Sequence, residues 1–273
     1  MTRIPVAGKS LLALVIPLAL LILASGLVGL MCDSTYAKET PSWTAQGIAQ
    51  DIFDLVILAP VLLLAAIFVR KGSRPALFIL LGSLIYASYT FSIYCFALHF
   101  NALFLVYCGV LGLSFYAGVS VLSSLNPEEL KGWFDPEKPV AIPSAFLIVA
   151  ALAFCSLWLS EDIPAILHNQ VPKTIVETGL MTNPVHVLDL AFLLPGSLVC
   201  GLLLRKKHPL GYLFAPSLIA FLAMMSLSIG GIVLYANYRG MSSDVLLPSV
   251  FALLAVIDGV LFVNVVSNMR KEE

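Results

Sequence analysis

The feature that most constrains this chain is a series of eight apolar segments, each long enough to cross a lipid bilayer. A helix needs about 20 apolar residues to span roughly 30 Å of hydrocarbon. Only 11% of the residues are charged and 60% are hydrophobic, whereas a soluble domain carries about a quarter charged residues. We therefore predict an all-α membrane protein of about eight transmembrane helices. Their approximate bounds are 10–31, 50–69, 75–98, 102–124, 141–160, 185–204, 209–236 and 247–268.

The distribution of lysine and arginine between the predicted loops indicates the orientation. Twelve of these residues fall on one side of the bundle, and only Lys38, Lys173 and Arg239 fall on the other. Because positive residues accumulate in cytoplasmic loops, we predict a multi-pass protein of the cell membrane with both termini in the cytoplasm. The first helix is expected to be retained, since its apolar run from Leu11 to Met31 is too long for a typical signal peptide.

The sequence carries none of the usual signatures of a cofactor or a nucleic-acid partner. The net charge is -1 and no basic stretch is interleaved with aromatic residues, so we expect no nucleic-acid partner. The five cysteines lack CxxC spacing, and neither a glycine-rich dinucleotide motif nor a P-loop is present, which excludes the common nucleotide signatures. The histidines lie at outer helix ends or in loops, and the last predicted helix has no lysine, so no haem or retinal signature exists. The expected partner is the lipid bilayer, and the sequence is compatible with a protein partner or a homo-oligomer.

The chain contains an internal similarity at an offset of 135 residues. Segments 54–71 and 189–206 agree at seven of eighteen positions, including the aspartate, the proline and the terminal Arg-Lys pair. We predict two four-helix repeats, 1–125 and 141–273, joined by a cytoplasmic linker at 126–140. Since an even number of spans preserves orientation, the repeats should be parallel and related by an axis along the membrane normal.

Two polar pairs lie near the outer ends of the second and sixth predicted helices. Asp51 and Asp54 are three residues apart, as are His186 and Asp189, and this spacing puts each pair on one helix face. If the repeat brings the pairs together, the set suits a divalent metal held by Asp54, His186 and Asp189, a proton relay, or acid–base chemistry on a substrate. The alternative is that Asp51 and its neighbours only cap their helices and complement the helix dipole.

Three further positions complete the candidate binding residues. Asp258 lies near the middle of the last predicted helix, where a lipid-facing carboxylate would cost about 3 kcal/mol. We therefore expect Asp258 to face the bundle interior, either in a functional role or in a neutral hydrogen bond between helices. His99 and Asn101 lie in the outer turn between the third and fourth helices and extend the candidate set.

The third predicted helix carries Tyr86, Tyr89 and Tyr94 with hydroxyl residues between them. These tyrosines either line a polar cavity or form an aromatic belt at the membrane interface.

Two stretches resemble a group of uncharacterised bacterial multi-pass membrane proteins. The resemblance covers mainly helices two to four and implies a bacterial inner membrane. The stretches are Gln50-Asp51-x-x-Asp54-Leu55 followed by Pro60, and Phe100-Asn101-x-Leu103-Phe104-Leu105-x-Tyr107 continuing to Leu113-Ser114-Phe115-Tyr116.

These observations lead to one main functional hypothesis and two alternatives. The main hypothesis is transport of a small solute, coupled to an ion or proton, through an outward-facing polar site between the two halves. The first alternative is a membrane-embedded enzyme, with or without a metal, acting on a lipid or a small extracytoplasmic substrate. The second is a non-catalytic membrane subunit or sensor. No motif identifies a catalytic residue.

Overall fold

The computed structural model describes residues 9–270. It contains eight helices that are long and apolar enough to cross a membrane, as predicted. Arg3 and Lys271, which contributed to the predicted orientation, lie outside the described residues. In chain order the helices are α1 (Lys9–Met31), α2 (Pro41–Arg70), α3 (Arg74–Ala97), α4 (Phe104–Ser123), α5 (Ala141–Leu167), α6 (Pro184–Arg205), α7 (Pro209–Tyr238) and α8 (Leu246–Ser267).

Helix α2 begins at Pro41, well before the predicted start at residue 50. The Thr40 side chain accepts a hydrogen bond from the Trp43 backbone amide and so caps the helix. Pro41 occupies the first turn, where its missing amide costs nothing. Capping signals therefore set this helix end, whereas hydropathy alone marked only its apolar part.

Helices α2 and α6 each contain one π-helical turn that begins at an aspartate. The turns span Asp54–Leu58 and Asp189–Leu193, and each is followed within two residues by a proline. A proline inside an α-helix lacks an amide hydrogen and clashes with the carbonyl one turn earlier. The wider π-helical turn relieves that clash, so the helix continues past the proline in both cases.

Helices α1 to α4 contact one another in a closed ring, in the order of the chain. Helices α5 to α8 make the corresponding set of contacts, with α8 returning to α5. Between the two groups, α3 packs against α7, α2 packs against α7, and the start of α6 contacts α3. The middle of the molecule is therefore formed by α3 and α7.

The segment between α4 and α5 defines one face of the bundle. It contains a short helix, Pro127–Lys131, and the ring of Phe134 packs against Phe78 and Tyr212. Phe134 also pairs with Met269, just after α8. We call this the inner face and the opposite one the outer face.

On the outer face, the chain before α6 is broken into pieces. A short helix, Lys173–Thr178, ends at Gly179, whose φ of +71° favours glycine. Four residues later the Asn183 side chain caps the new helix, which starts at Pro184. Thr40 donates to the carbonyl oxygen of Thr178 at 3.0 Å, which attaches the short helix to the start of α2.

Candidate functional site

Asp51 is buried among tyrosines of the first four helices. Its carboxylate accepts hydrogen bonds from the hydroxyls of Tyr36, at 2.6 Å, and Tyr94, at 2.9 Å. Burial, followed by the charge of Asp51, raises the pKa of the Tyr36 phenol, so Tyr36 stays a donor. On α1, Gly29 lies so close that any Cβ there would overlap the Asp51 carboxylate. Because Asp51 lies about three turns inside α2, the capping interpretation of this residue is wrong.

Asp54 lies deeper in α2 and is fully buried beside a network of polar side chains that bond to one another. One carboxylate oxygen accepts from the Gln50 amide at 2.8 Å, and the other has no hydrogen-bond partner among the described residues. Gln50 also bonds to the hydroxyl of Tyr86 and accepts from Ser228 of α7 at 2.7 Å. This network joins α2, α3 and α7 at the centre of the molecule.

Asp189 occupies the corresponding place in α6 but has different partners. Its two oxygens accept from the Tyr89 hydroxyl of α3, at 2.9 Å, and from the Trp158 indole of α5, at 2.8 Å. Tyr89 therefore links the carboxylate of the second half to a helix of the first half. The Phe221 ring contacts both Tyr86 and Tyr89, so an apolar side chain separates the Asp54 network from the Asp189 network.

His186 lies one turn closer to the outer face than Asp189. Its Nδ1 is 3.0 Å from a carboxylate oxygen of Asp162, and its Nε2 is 4.0 Å from Glu161. The imidazole also packs against the Trp158 ring, with centroids 4.3 Å apart. The side chain is thus held between two acids of α5 and an indole.

The expected convergence of Asp54, His186 and Asp189 on one metal does not appear in this arrangement. Asp54 bonds to Gln50, Asp189 to Tyr89 and Trp158, and His186 to Asp162. Across residues 9–270, no three His, Cys, Asp or Glu side chains are grouped so as to hold a metal ion. The three groups belong to separate hydrogen-bond networks, so the structure gives no support for a divalent ion shared by these residues.

Asp258 is buried between α7 and α8, which confirms that it faces the bundle interior. One oxygen accepts from the Ser226 hydroxyl at 2.9 Å, and the other is unpartnered in the described part of the chain. Within residues 9–270, no lysine or arginine acts on the four buried aspartates.

The two outer-turn candidates have different roles. The Asn101 side chain accepts from the Leu103 amide and donates to the Thr35 carbonyl, so it shapes the turn. His99 pairs with Glu39 at 3.0 Å and lines a cavity that opens at the outer face.

That cavity, which we call the outer cavity, lies at the break before α6. It has a volume of about 320 Å³ and is lined by His99, by 179–182 and by the outer ends of α3 and α6. At Ser92 and Leu188 it meets a second cavity of about 460 Å³ between the α3–α4 and α6–α7 pairs. We call the second cavity the inter-half groove. Its wall includes Tyr89, the partner of Asp189.

Several residues of these networks could not be found by sequence reasoning. Tyr36, Trp158 and Asp162 lie far from their partners in the chain, and no spacing pattern connects them. The tyrosines of α3 were singled out in the sequence. Their hydroxyls bond to the buried carboxylates and to Gln50, so they belong to the polar interior of the bundle. In comparisons with known proteins, no family model, curated protein or solved structure matches this chain.

Proposed function

We propose that this protein is a proton-coupled transporter whose substrate site lies between its two four-helix halves. One observation carries the proposal: the outer cavity and the inter-half groove share the lining residues Ser92 and Leu188, and the groove is also lined by Tyr89, which is hydrogen-bonded to the buried Asp189. Tyr89 therefore contacts both the path proposed for the substrate and the titratable Asp189. Proton coupling requires such a contact, because substrate binding must depend on whether the carboxyl group is protonated.

The acids themselves support a proton as the coupling ion. Asp54, Asp189 and Asp258 are buried in apolar helices, and among the described residues neither a lysine nor an arginine acts on any of them, although His186 lies near Asp189. A carboxylate in such a place is most stable when a proton or cation neutralises it. One oxygen of Asp54 and one of Asp258 lack a hydrogen-bond partner in the described residues, which leaves each a position for a proton.

The proposal includes the parallel repeat, with halves 1–125 and 141–273 and linker 126–140. Two observations support it: the π-helical turns begin at residues 135 apart, and the helix contacts of α1–α4 recur in α5–α8. It also includes a bacterial inner membrane, with the inner face in the cytoplasm. That orientation is supported by the basic residues, such as Arg70, Arg205 and Lys206, that end helices at this face.

The test is charge movement in reconstituted vesicles. We would impose a proton gradient, add candidate solutes of several chemical classes, and record current and internal pH. Wild-type protein should move protons with at least one class, and Asp54→Asn and Asp189→Asn should each reduce this by about tenfold or more, as expected for groups essential to a coupled step. Asp33→Asn, the same change at an exposed outer residue, is the matched control. Absence of movement in wild type, or equal movement in all variants, would contradict the proposal.

A second candidate function, a membrane-embedded enzyme, is favoured by the contact between His186 and Asp162. A carboxylate that holds one imidazole nitrogen orients the ring as a general base. Against this, the residues that line the two cavities do not include His186. Substitution His186→Gln separates the functions, because it should remove hydrolytic activity while leaving proton movement through Asp189 in place.

A further inference from the structure

The inter-half groove has the dimensions of one hydrocarbon chain. Along α3 it runs from Ser92 to Leu81, which at 1.5 Å per residue is about 17 Å. One leaflet of a bilayer has a hydrocarbon thickness of about 15 Å. If a methylene group occupies about the volume of a water molecule, roughly 30 Å³, the 460 Å³ of the groove holds on the order of 15 carbons. The groove therefore matches one lipid tail in both length and volume.

The walls of the groove present carbon to a ligand, although they contain several serines. Ser88 donates to Ser114 at 2.9 Å, Ser92 donates to the Ser88 carbonyl at 2.7 Å, and Ser217 donates to the Leu213 carbonyl. Since these hydroxyl hydrogens already have acceptors within the protein, the acceptor groups of a polar ligand would lose their bonds to water without replacement. A hydrocarbon chain loses nothing by entering.

The groove is open sideways to the lipid. Phe115 and Val119 of α4 and Phe192 of α6 line it, and all three are exposed. A chain can therefore enter from a leaflet without crossing the protein surface from water. A helix of a second copy of the protein is about 10–12 Å across with its side chains. Such a helix would lie over the groove and could not fill it.

The outer cavity suits the polar end of the same molecule. It adjoins the groove at Ser92 and Leu188 and contains Thr182, His99 and the backbone of the break before α6. None of the residues that line it is a lysine, arginine, aspartate or glutamate. The one ionisable residue in the lining, His99, is already paired with Glu39, so an anionic headgroup would find no unpaired cation in the lining, which favours a compact headgroup without net charge.

We infer that the inter-half groove binds the single acyl chain of an uncharged amphiphile, of the monoacylglycerol type, with its polar headgroup in the outer cavity. This inference rests on the proposed function and names the substrate class of the same site. In that arrangement the headgroup lies in the outer cavity and the acyl chain lies beside Tyr89. The hydroxyl of Tyr89 is bonded to Asp189, so it responds to the protonation state of that carboxyl group.

Two glycines allow a sharp test. Gly118 of α4 and Gly196 of α6 line the groove, and a Cβ added at either would meet open space. A leucine there should fill the groove without disturbing the helices. Gly112 of α4 and Gly231 of α7 also face open space but lie outside the groove lining, so Gly112→Leu and Gly231→Leu are matched controls.

The probe is a monoacylglycerol with a diazirine near the end of its palmitoyl chain, photolysed with the full-length protein in vesicles. Mass spectrometry should place the label on α3, α4, α6 and α7 around the groove, and unlabelled monoacylglycerol should compete better than palmitate or a two-chain phospholipid. Gly118→Leu and Gly196→Leu should each reduce labelling about tenfold, the factor lost with one to two buried methylenes. The control variants should stay within about twofold of wild type, because they leave the groove unchanged.

Three outcomes would overturn the inference: labels spread evenly over lipid-facing helices, equal labelling in groove and control variants that all remain folded by thermal unfolding, or better competition by palmitate. Asp54→Asn should still take up the label. If that variant abolishes proton movement while no amphiphile binds the groove, the proposed function stands and only the substrate class is wrong. Selective groove labelling without any proton movement in wild type would mean that the groove binds the amphiphile and that proton-coupled transport is wrong.

Discussion

The two halves differ most at their outer ends, in the segments that lead to Asp54 and Asp189. In the first half α2 runs as continuous helix from Pro41 past Asp54. In the second half the corresponding chain is broken between Thr178 and Pro184, and the outer cavity lies at this break. A similar carboxylate therefore lies under an intact helix in one half and beside an opening in the other. In the proposed transport function, the second half is therefore the side through which a substrate would enter.

Local sequence explains the difference. The break begins at Gly179, in the left-handed conformation, and ends at Pro184, which starts a new helix. At the offset of 135, the first half has Thr44 and Ala49 at these positions, and neither residue interrupts a helix. The glycine and the proline that bound the break therefore have no counterpart in the first half, where the helix continues.

The hydrogen bonds around the two carboxylates, Asp54 and Asp189, also differ between the halves. Around Asp54, Gln50 has three bonded neighbours, so the loss of one bond leaves others. Around Asp189, each oxygen has one donor, Tyr89 or Trp158. The amide that holds Asp54 is therefore redundantly bonded, whereas each oxygen of Asp189 depends on a single donor.

The largest expected effect concerns the side of the membrane to which the break is exposed. In a protein without its native cysteines, a membrane-impermeant thiol reagent should label Thr182→Cys from outside and leave Ala49→Cys unlabelled, since Ala49 is buried in the continuous helix. Cysteines at Ser34, Asn169 and Ser242 should also react from outside, and those at Ser73 and Ser124 should not. External labelling at Ser73 would reverse the orientation, and equal labelling at positions 182 and 49 would remove the difference between the halves.

The next effect is on stability. Gly29→Ala pushes a Cβ into the Asp51 carboxylate in the first half, so the free energy of unfolding should fall by about 1–3 kcal/mol. Gly196→Ala in the second half meets empty space, and alanine is the better helix former, so stability should hold or rise slightly. Thermal unfolding of the purified proteins measures both. An equal loss in the two variants would mean that the second half is as tightly packed as the first.

Removal of single hydroxyls tests the difference in redundancy. Tyr89→Phe leaves one oxygen of Asp189 without its donor and should destabilise the protein by about 1–3 kcal/mol. Tyr86→Phe removes one of several partners of Gln50, so its cost should be only about 0.5–1.5 kcal/mol. The same unfolding assay applies, and a larger loss for Tyr86→Phe would contradict the difference in redundancy.

The smallest effect is expected at the break itself. Gly179→Ala places a side chain in the left-handed region, where it costs about 1 kcal/mol. Its Cβ would also crowd Thr40, so the short helix Lys173–Thr178 should loosen. Hydrogen exchange should rise in 173–183 and stay unchanged in 41–53. Unchanged exchange in 173–183 would mean that Gly179 does not set the end of this helix.

Much of this fold could be predicted, because the number of helices follows from apolar length and hydropathy. The helix ends were less predictable: α2 starts at a threonine cap in a polar stretch, which hydropathy does not register. The shared Asp and Pro positions were used only as evidence for the repeat, and the π-helical turns that begin at these aspartates were not predicted. The partners of Asp51, Asp189 and His186 come from distant helices and loops, so they depend on packing that no local pattern encodes.

The most direct test of transport is whether the inter-half groove can be reached from both sides of the membrane. Ser88 lines the groove and is partly buried, so Ser88→Cys in a protein without other cysteines is the reporter. A thiol reagent with a charged end, which cannot cross the bilayer, and a reactive group on an alkyl arm, which fits the groove, should label it in right-side-out vesicles through the outer cavity and, separately, in inverted vesicles from the inner face. Ala49→Cys should resist the reagent in both. Labelling of Ser88→Cys from the outer face alone would show a binding pocket with one entrance and would contradict the proposed transport.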